Sequence, residues 1–136
     1  MKLTRTAKRA NGMTLLELTV VILVLLSLIS ILFVGARAWK KGSDRAANIM
    51  NIRNVQQAVR AHANMQGLLV GDGLTSDKIF GNGTTDGYLK EPKPPSADIG
   101  TLYTYQTVVP TIGSLYITNA TTNVEYAPAT TTYSDW

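Results

Sequence analysis

The apolar residues of this chain are concentrated in one uninterrupted stretch near the N-terminus. From Leu18 to Ala36 there are nineteen residues without a charge, and only Thr19, Ser27 and Ser30 are polar. About 18 such residues are enough for a helix to cross a bilayer, and a small soluble domain seldom buries a helix that is apolar on every side. The pattern therefore predicts a membrane-spanning helix.

The pattern changes to a helical periodicity further along the chain. Apolar or uncharged residues recur at spacings of three and four, while polar residues such as Asn48 and Arg60 occupy most of the remaining face; the recurring positions are Ile49, Ile52, Gln56, Val59 and Ala63. This spacing predicts an amphipathic helix. Residues 42–44, Gly-Ser-Asp, could interrupt the helix or begin a new one, and Gly67 is a suitable C-terminal stop.

The second half of the chain predicts loops and then strands. Residues 67–87 contain six glycines, and the proline-rich segment 91–95 indicates a stiff connection. Runs rich in Tyr, Thr and Val predict strands at 101–109, 114–118 and 123–127, with a turn at 110–113. The predicted fold class is α+β, with a long N-terminal helix packed on a small antiparallel sheet. The tyrosines expected to face this sheet, with their hydroxyls in water, are Tyr103, Tyr105, Tyr116, Tyr126 and Tyr133.

The charge of the chain is unevenly distributed. The net charge is +4, and four cations precede Gly12: Lys2, Arg5, Lys8 and Arg9. After Gly12 there are nine Lys or Arg and nine Asp or Glu, so the remainder is formally neutral. The basic character thus belongs to a leader rather than to a surface for nucleic acid, and no nucleic-acid partner is expected. The absence of cysteine excludes disulfides and thiolate metal sites.

No pattern of residues indicates catalysis. The single histidine, His62, lies on the amphipathic helix and is expected to be exposed. No nucleophile motif or phosphate-binding loop accompanies it, so the chain is not expected to be an enzyme.

The informative charge is Glu17, at the start of the apolar stretch. A carboxylate in hydrocarbon costs about 2.5–3.5 kcal/mol on insertion scales, so such a charge is usually retained for a partner. Alternatively, Glu17 marks the interfacial edge of the span, where the cost is small. The position of the residue alone does not decide between these interpretations.

The segment Gly12-Met13-Thr14-Leu15-Leu16-Glu17-Leu18 resembles the prepilin-type cleavage signal of type IV pilins and type II secretion pseudopilins. The resemblance implies that a dedicated peptidase cuts between Gly12 and Met13 and methylates the new amine of Met13. It also implies that Glu17, then the fifth residue, pairs with the N-terminal amine of a neighbouring subunit. Two features depart from the family pattern: Met13 replaces the usual phenylalanine, and residues 33–35 contain no proline.

The resemblance also implies an organisation and a location. Residues 1–12 would form the leader, 13–38 the transmembrane and assembly helix, 39–66 the amphipathic helix and 67–136 a loop-rich β head. The protein would cross the bacterial inner membrane once, with a periplasmic head, before entering a filament. Expected partners are homologous pilin or pseudopilin subunits, the prepilin peptidase, the inner-membrane assembly platform and the lipid bilayer.

Among filament types, the short head and the lack of a cysteine pair favour a pseudopilin of a type II secretion-like system. A minor pilin for adhesion or DNA uptake is the near alternative. A single-pass anchored envelope protein that never polymerises is the alternative of a different class.

Calcium is the one cofactor that the sequence raises. Loop carboxylates suit calcium, and major pseudopilins have a calcium site in the C-terminal region. The candidate ligands are Asp72, Asp77 and Asp86, with Glu91 and Asp98 nearby. Their spacing matches no EF-hand loop, so solvated loop acids are the favoured interpretation and calcium is the alternative.

Overall fold

One long helix organises the computed structural model, which describes Gly12 and residues 14–136. Helix α1 (Leu15–Gln66) is followed by the short helix α2 (Ser76–Phe80) and by a 3-10 turn at Thr130–Thr132. Contacts divide the chain into two units, Met1–Ala38 and Trp39–Trp136. Helix α1 runs through Gly42 without the interruption that the sequence suggested there. The second unit is called the head below.

The part of α1 within the head has the buried face that the periodicity predicted. Ile52, Val59 and Ala63 are buried as expected, and Val55 joins them. The helix ends at Gln66, as predicted, because Gly67 takes a positive φ of 67°. The Leu68 N–H then donates to the Ala63 carbonyl at 2.9 Å, which satisfies one of the terminal carbonyls in a Schellman-type ending.

Loops rather than strands cover this helical face. Side chains from α2 and from several loop segments complete one apolar core with α1. The largest fully buried residues outside α1 are Leu74, Ile79, Pro110, Tyr116 and Ile117. α2 contributes Ile79, which is completely buried. The core therefore joins residues that are far apart in sequence around a single helix.

The predicted antiparallel sheet is wrong for the residues that the structure describes, and the α+β assignment fails with it. None of the segments 101–109, 114–118 and 123–127 forms a strand. Only isolated antiparallel bridges occur, at Gly73–Val108, Gly81–Asp86 and Tyr105–Ile117.

Side chains explain why the pairing around Tyr105 and Ile117 does not extend. Two ladder-like bonds form there, from Gln106 N–H to Tyr116 O and from Thr118 N–H to Thr104 O. Beyond them the Thr104 N–H donates to the Asn119 side chain at 2.9 Å. On the other side the Tyr116 N–H donates to the Gln56 side chain of α1 at 3.0 Å. The backbone groups that a strand would use are thus already occupied.

The expectation that the tyrosines face a sheet fails with the sheet, and the expectation that their hydroxyls lie in water is wrong for four of them. The Tyr105 hydroxyl is buried without a hydrogen-bond partner among the described residues. Tyr103, Tyr116 and Tyr126 are buried. The Tyr103 hydroxyl donates to Asn48 Oδ1 of α1 at 2.6 Å. The Tyr116 hydroxyl donates to Leu74 O and the Tyr126 hydroxyl to Asp98 Oδ2, both at 2.9 Å and both in the loops. These bonds attach the loops to one another and to α1.

Buried polar side chains of α1 hold the loops in place. Asn48, which the sequence placed on the polar face, is completely buried and makes three hydrogen bonds. Its amide donates to Ala120 O and Tyr126 O, and its carbonyl accepts from Tyr103. Gln56 similarly donates to Ser114 O while accepting the Tyr116 N–H. The side-chain amides of Asn48 and Gln56 thus bond to backbone and hydroxyl groups of the loops that no neighbouring strand satisfies.

We expect Gln56→Ala to lower the free energy of unfolding by about 2–3 kcal/mol, because it leaves the buried Tyr116 N–H and the partly buried Ser114 carbonyl without partners. Gln57→Ala is the matched control, since Gln57 is exposed, and its effect should stay within about 0.5 kcal/mol. Denaturant unfolding of the full chain in detergent, followed by tryptophan fluorescence, measures both. Equal effects of the two substitutions would contradict this role for Gln56.

The head should also lose stability in alkali. Burial, reinforced by the charge of Asp77, raises the pKa of Tyr116 from 10.0 to about 12. The neutral hydroxyl is therefore favoured by folding, and its contribution is complete below pH 10 and lost as the pH rises towards 12. Thermal unfolding across this range should show a steeper fall in melting temperature for the unmodified chain than for Tyr116→Phe. Parallel curves would contradict the assignment.

Candidate membrane and assembly segment

The start of α1 is fixed by a reciprocal pair of hydrogen bonds. The helix begins at Leu15, which makes Thr14 the N-cap residue. The Glu17 N–H donates to the Thr14 hydroxyl at 3.3 Å, and the Thr14 N–H donates to Glu17 Oε2 at 3.0 Å. This is the capping-box arrangement, which satisfies two backbone donors that a helix N-terminus otherwise leaves free.

Thr14 adds a residue to the segment that the charge and hydropathy patterns alone do not single out. The signal was present, because Thr14 and Glu17 have the Thr-x-x-Glu spacing just before an apolar run, and that spacing marks a helix start. The structure gives the carboxylate a defined place within its own chain.

Glu17 nevertheless keeps the capacity to bind a second partner. The side chain is exposed, and no Lys or Arg in the described part of the chain lies within ion-pair distance of it. A carboxylate can accept up to about four hydrogen bonds, and Thr14 uses one oxygen. The positive end of the helix dipole also favours a negative charge at this position.

Gly12 lies two residues before the N-cap and is exposed. A Cβ added to it would meet no atom within 4 Å, so the backbone is accessible from outside the chain. Met13, the other half of the predicted cleavage site and the predicted site of N-methylation, lies outside the described residues.

The apolar stretch that follows is suited to hydrocarbon. Residues 18–36 are helical and exposed throughout, so no part of the described chain covers them. Their three hydroxyls donate to helix carbonyls: Thr19 to Leu16 at 2.8 Å, Ser27 to Val24 at 2.7 Å and Ser30 to Leu26 at 2.8 Å. A membrane interior supplies no hydrogen-bonding partner, so the hydroxyls of a spanning helix must bond within the helix, as these three do.

By length and composition, α1 is the one helix in the described part of the chain that could cross a membrane. Its apolar window is entirely unburied, which distinguishes it from the core helix of a soluble protein. The structure is therefore compatible with a single membrane span near the N-terminus.

The calcium candidates are dispersed. Asp72 accepts the Leu69 N–H at 2.7 Å, which is a local turn bond. Asp77 and Asp86 line a cavity of about 450 Å³ that His62 also lines. Across Gly12 and residues 14–136, no three acids, histidines or cysteines come together as a metal site would require. Of the nearby acids, Asp98 is engaged by Tyr126 and Ser96.

His62 is buried, and the prediction that it is exposed is wrong. Only 7% of the residue is accessible, and its ring packs edge-on against Tyr88 with centroids 5.3 Å apart. Its Nδ1 has no hydrogen-bond partner among the described residues. The loop carrying Tyr88 folds over this part of α1, which a helical pattern alone could not reveal.

Comparison of the chain with protein-family models, with curated proteins and with solved structures found no match.

The capping role of Thr14 can be tested directly. Thr14→Val should remove the hydroxyl acceptor of the Glu17 N–H, weaken the first helical turn by about 1 kcal/mol and speed exchange of that amide about fivefold. Thr19→Val is the matched control, because the Thr19 hydroxyl bonds to a carbonyl within the helix. Amide hydrogen exchange by NMR in detergent micelles measures both. Equal exchange of the Glu17 amide in the two variants would contradict the cap.

Proposed function

We propose that the protein is a membrane-anchored filament subunit of the pilin and pseudopilin kind. In this proposal the chain crosses the inner membrane once, loses residues 1–12 and packs its apolar helix against those of other copies. The observation that carries the proposal is Glu17, a carboxylate at the first turn of an uncovered apolar helix that has no cation of its own within ion-pair distance in the described chain.

The order of features along the chain supports cleavage as the first step. Four cations precede Gly12, whose backbone is exposed, and the capped helix begins three residues later at Leu15. Removal of the leader would take away these cations and leave one new positive charge, the amine of Met13. That amine would then lie four residues before Glu17 in sequence.

Electrostatics explains how the pair would direct assembly. An amine and a carboxylate are each costly to place in apolar surroundings, and together they largely neutralise one another. Because the apolar surfaces of the packed helices are similar along their length, they do not by themselves fix the axial position of one copy against the next. A charge pair at a single level does, since any sliding leaves both charges unpaired.

The capping box gives the carboxylate a fixed direction before a partner arrives. The Thr14 N–H holds Glu17 Oε2 at the N-terminal end of the helix. The other oxygen, together with the remaining lone pairs, is available to the amine of a neighbouring copy. Because the bond to the Thr14 N–H already restricts the Glu17 side chain, pairing with the amine would cost less side-chain entropy.

A pseudopilin of a type II secretion-like system is the form of this proposal that we favour, because the head is short and the chain has no cysteine. A non-polymerising anchor would share the apolar helix and would have no use for cleavage after Gly12. Mass spectrometry of the N-terminus, in cells that contain a prepilin peptidase, separates the two. We expect a mature chain that begins with methylated Met13, and an intact leader would contradict the proposal.

The charge of Glu17 can be separated from its capping role. We expect Glu17→Gln to retain the bond to the Thr14 N–H, because glutamine also serves in a capping box, and to leave cleavage unaffected. It should abolish filaments, because an unpaired buried amine costs about 3–5 kcal/mol for each subunit. Immunoblotting of leader removal and electron microscopy of filaments measure the two effects. Filaments of normal number and length from Glu17→Gln would refute the pairing.

A further inference from the structure

The charges of the chain after Gly12 are balanced in total but sorted by position. Helix α1 carries six Lys or Arg and two acids, whereas residues 67–136 carry three Lys and seven acids. Within the described residues, the one ion pair is Lys41 with Glu125, at 3.0 Å and on the surface. One copy of the chain therefore leaves most of its opposite charges unmatched, which suggests that they are matched between copies.

The basic side of the head contains a groove of about 810 Å³. We call it the arginine groove; its lining includes Arg53, Gln57, Arg60, Asn64, Ile112 and Trp136. Arg60 is fixed by donating to Pro110 O at 2.9 Å and to Trp136 O at 3.1 Å. Arg53 lies over the Trp136 ring, 5.0 Å from its centroid, and no carboxylate of the described residues is within ion-pair distance of it.

The arginine groove suits an acidic partner. Arg53 and Arg60 outnumber Asp135, the one acid in its lining. Contact with the Trp136 ring restricts the Arg53 side chain, so binding a carboxylate there would cost less side-chain entropy than binding one to a free arginine. Ile112, which is 72% exposed, adds an apolar contact at the edge of the groove.

The acidic surface is the rim of the cavity that His62 lines. Asp77 and Asp86 are both exposed there, beside Lys78. We call this the aspartate rim. The two ends of the loop that carries Asp86 approach each other closely, because a Cβ on Gly81 or Gly87 would overlap neighbouring backbone atoms and Gly81 pairs with Asp86 in an isolated bridge. The rim is thus a preformed surface rather than a set of independent side chains.

The two surfaces lie on opposite sides of the same helix. Gln57 lines the arginine groove and Gln66 lines the cavity of the aspartate rim. Nine residues correspond to about two and a half helical turns and about 13 Å along the axis. One copy therefore cannot bring its own groove and rim together. A contact that joins two different surfaces also repeats from copy to copy, and without closure it produces a helical filament.

We propose that the arginine groove of one copy binds the aspartate rim of the next copy. This inference rests on the proposed function and deepens it, because it identifies the head surfaces that meet in the filament. Arg53 would pair with Asp77 or Asp86 of the neighbouring copy, and Trp136 and Ile112 would pack beneath the loop that carries them. The contact is directional, so every copy contributes one groove and one rim.

Introduced cysteines test this contact cleanly, because the chain has none of its own. Gln57→Cys and Gln66→Cys remove no charge, and the two positions are too far apart on one helix for an internal disulfide. Mild oxidation of filaments of the full chain carrying both cysteines should give a ladder of dimers, trimers and longer species. Each single-cysteine variant should remain monomeric on a non-reducing gel.

Charge reversal at the proposed contact provides a second test. Arg53→Glu in the double-cysteine chain should weaken the ladder about threefold or more, and adding Asp86→Arg should restore it. Arg45→Glu is the matched control, because Arg45 lines neither surface, and it should leave the ladder unchanged.

The outcomes distinguish failure of the groove–rim contact from failure of the proposed function. Intact filaments without a ladder would overturn the contact and leave the proposed function standing. Dimers from Gln57→Cys alone would also overturn it, because they would place two grooves face to face. Failure of the unmodified, correctly cleaved chain to form filaments in its own assembly system would overturn the proposed function, and the contact with it.

Discussion

A helix that is apolar on every side must be covered by something other than its own chain. Residues 18–36 of α1 are exposed throughout, and their hydroxyls are already bonded to helix carbonyls. Water is an unfavourable surrounding for such a surface, while lipid or the same helix of other copies is a favourable one. The proposed function starts from this constraint, because both membrane anchoring and packing against other copies would cover the helix.

The head solves a different problem, which is to build a core from loops around one helix. A sheet would satisfy its backbone groups through a repeating ladder, whereas this head uses side-chain amides for the same purpose. Asn48 and Gln56 of α1 together bond to five groups of the surrounding loops, and both are buried. The consequence is that the head depends on individual polar residues, whose loss leaves buried groups unpaired.

The arginine groove and the aspartate rim are suited to a contact that repeats from one copy of the chain to the next. The arginine groove is fixed by the bonds of Arg60, and the aspartate rim is fixed by a tight glycine loop. Both are preformed, so little ordering would accompany association. Their placement on opposite sides of α1 suits an assembly that grows in one direction.

The sequence predicted the features that depend on local pattern, and it failed where distant side chains decide the structure. The apolar helix, the buried Ile52 and Val59 and the stop at Gly67 follow from periodicity and backbone preference. The Tyr- and Thr-rich segments look like strands, but Asn119 and Gln56 occupy the groups that would pair them. The burial of His62 depends on a loop more than twenty residues away. Thr14 was predictable, because its capping spacing with Glu17 is local.

The central claim is that the carboxylate of Glu17 meets the amine of Met13 on another copy. Solid-state NMR of filaments assembled from two populations tests it directly, with ¹⁵N-methionine in one population and ¹³C-glutamate in the other. The account predicts a through-space correlation between the terminal amine nitrogen and the Glu17 carboxyl carbon in the mixed filaments. Well-ordered mixed filaments that lack this correlation would contradict it.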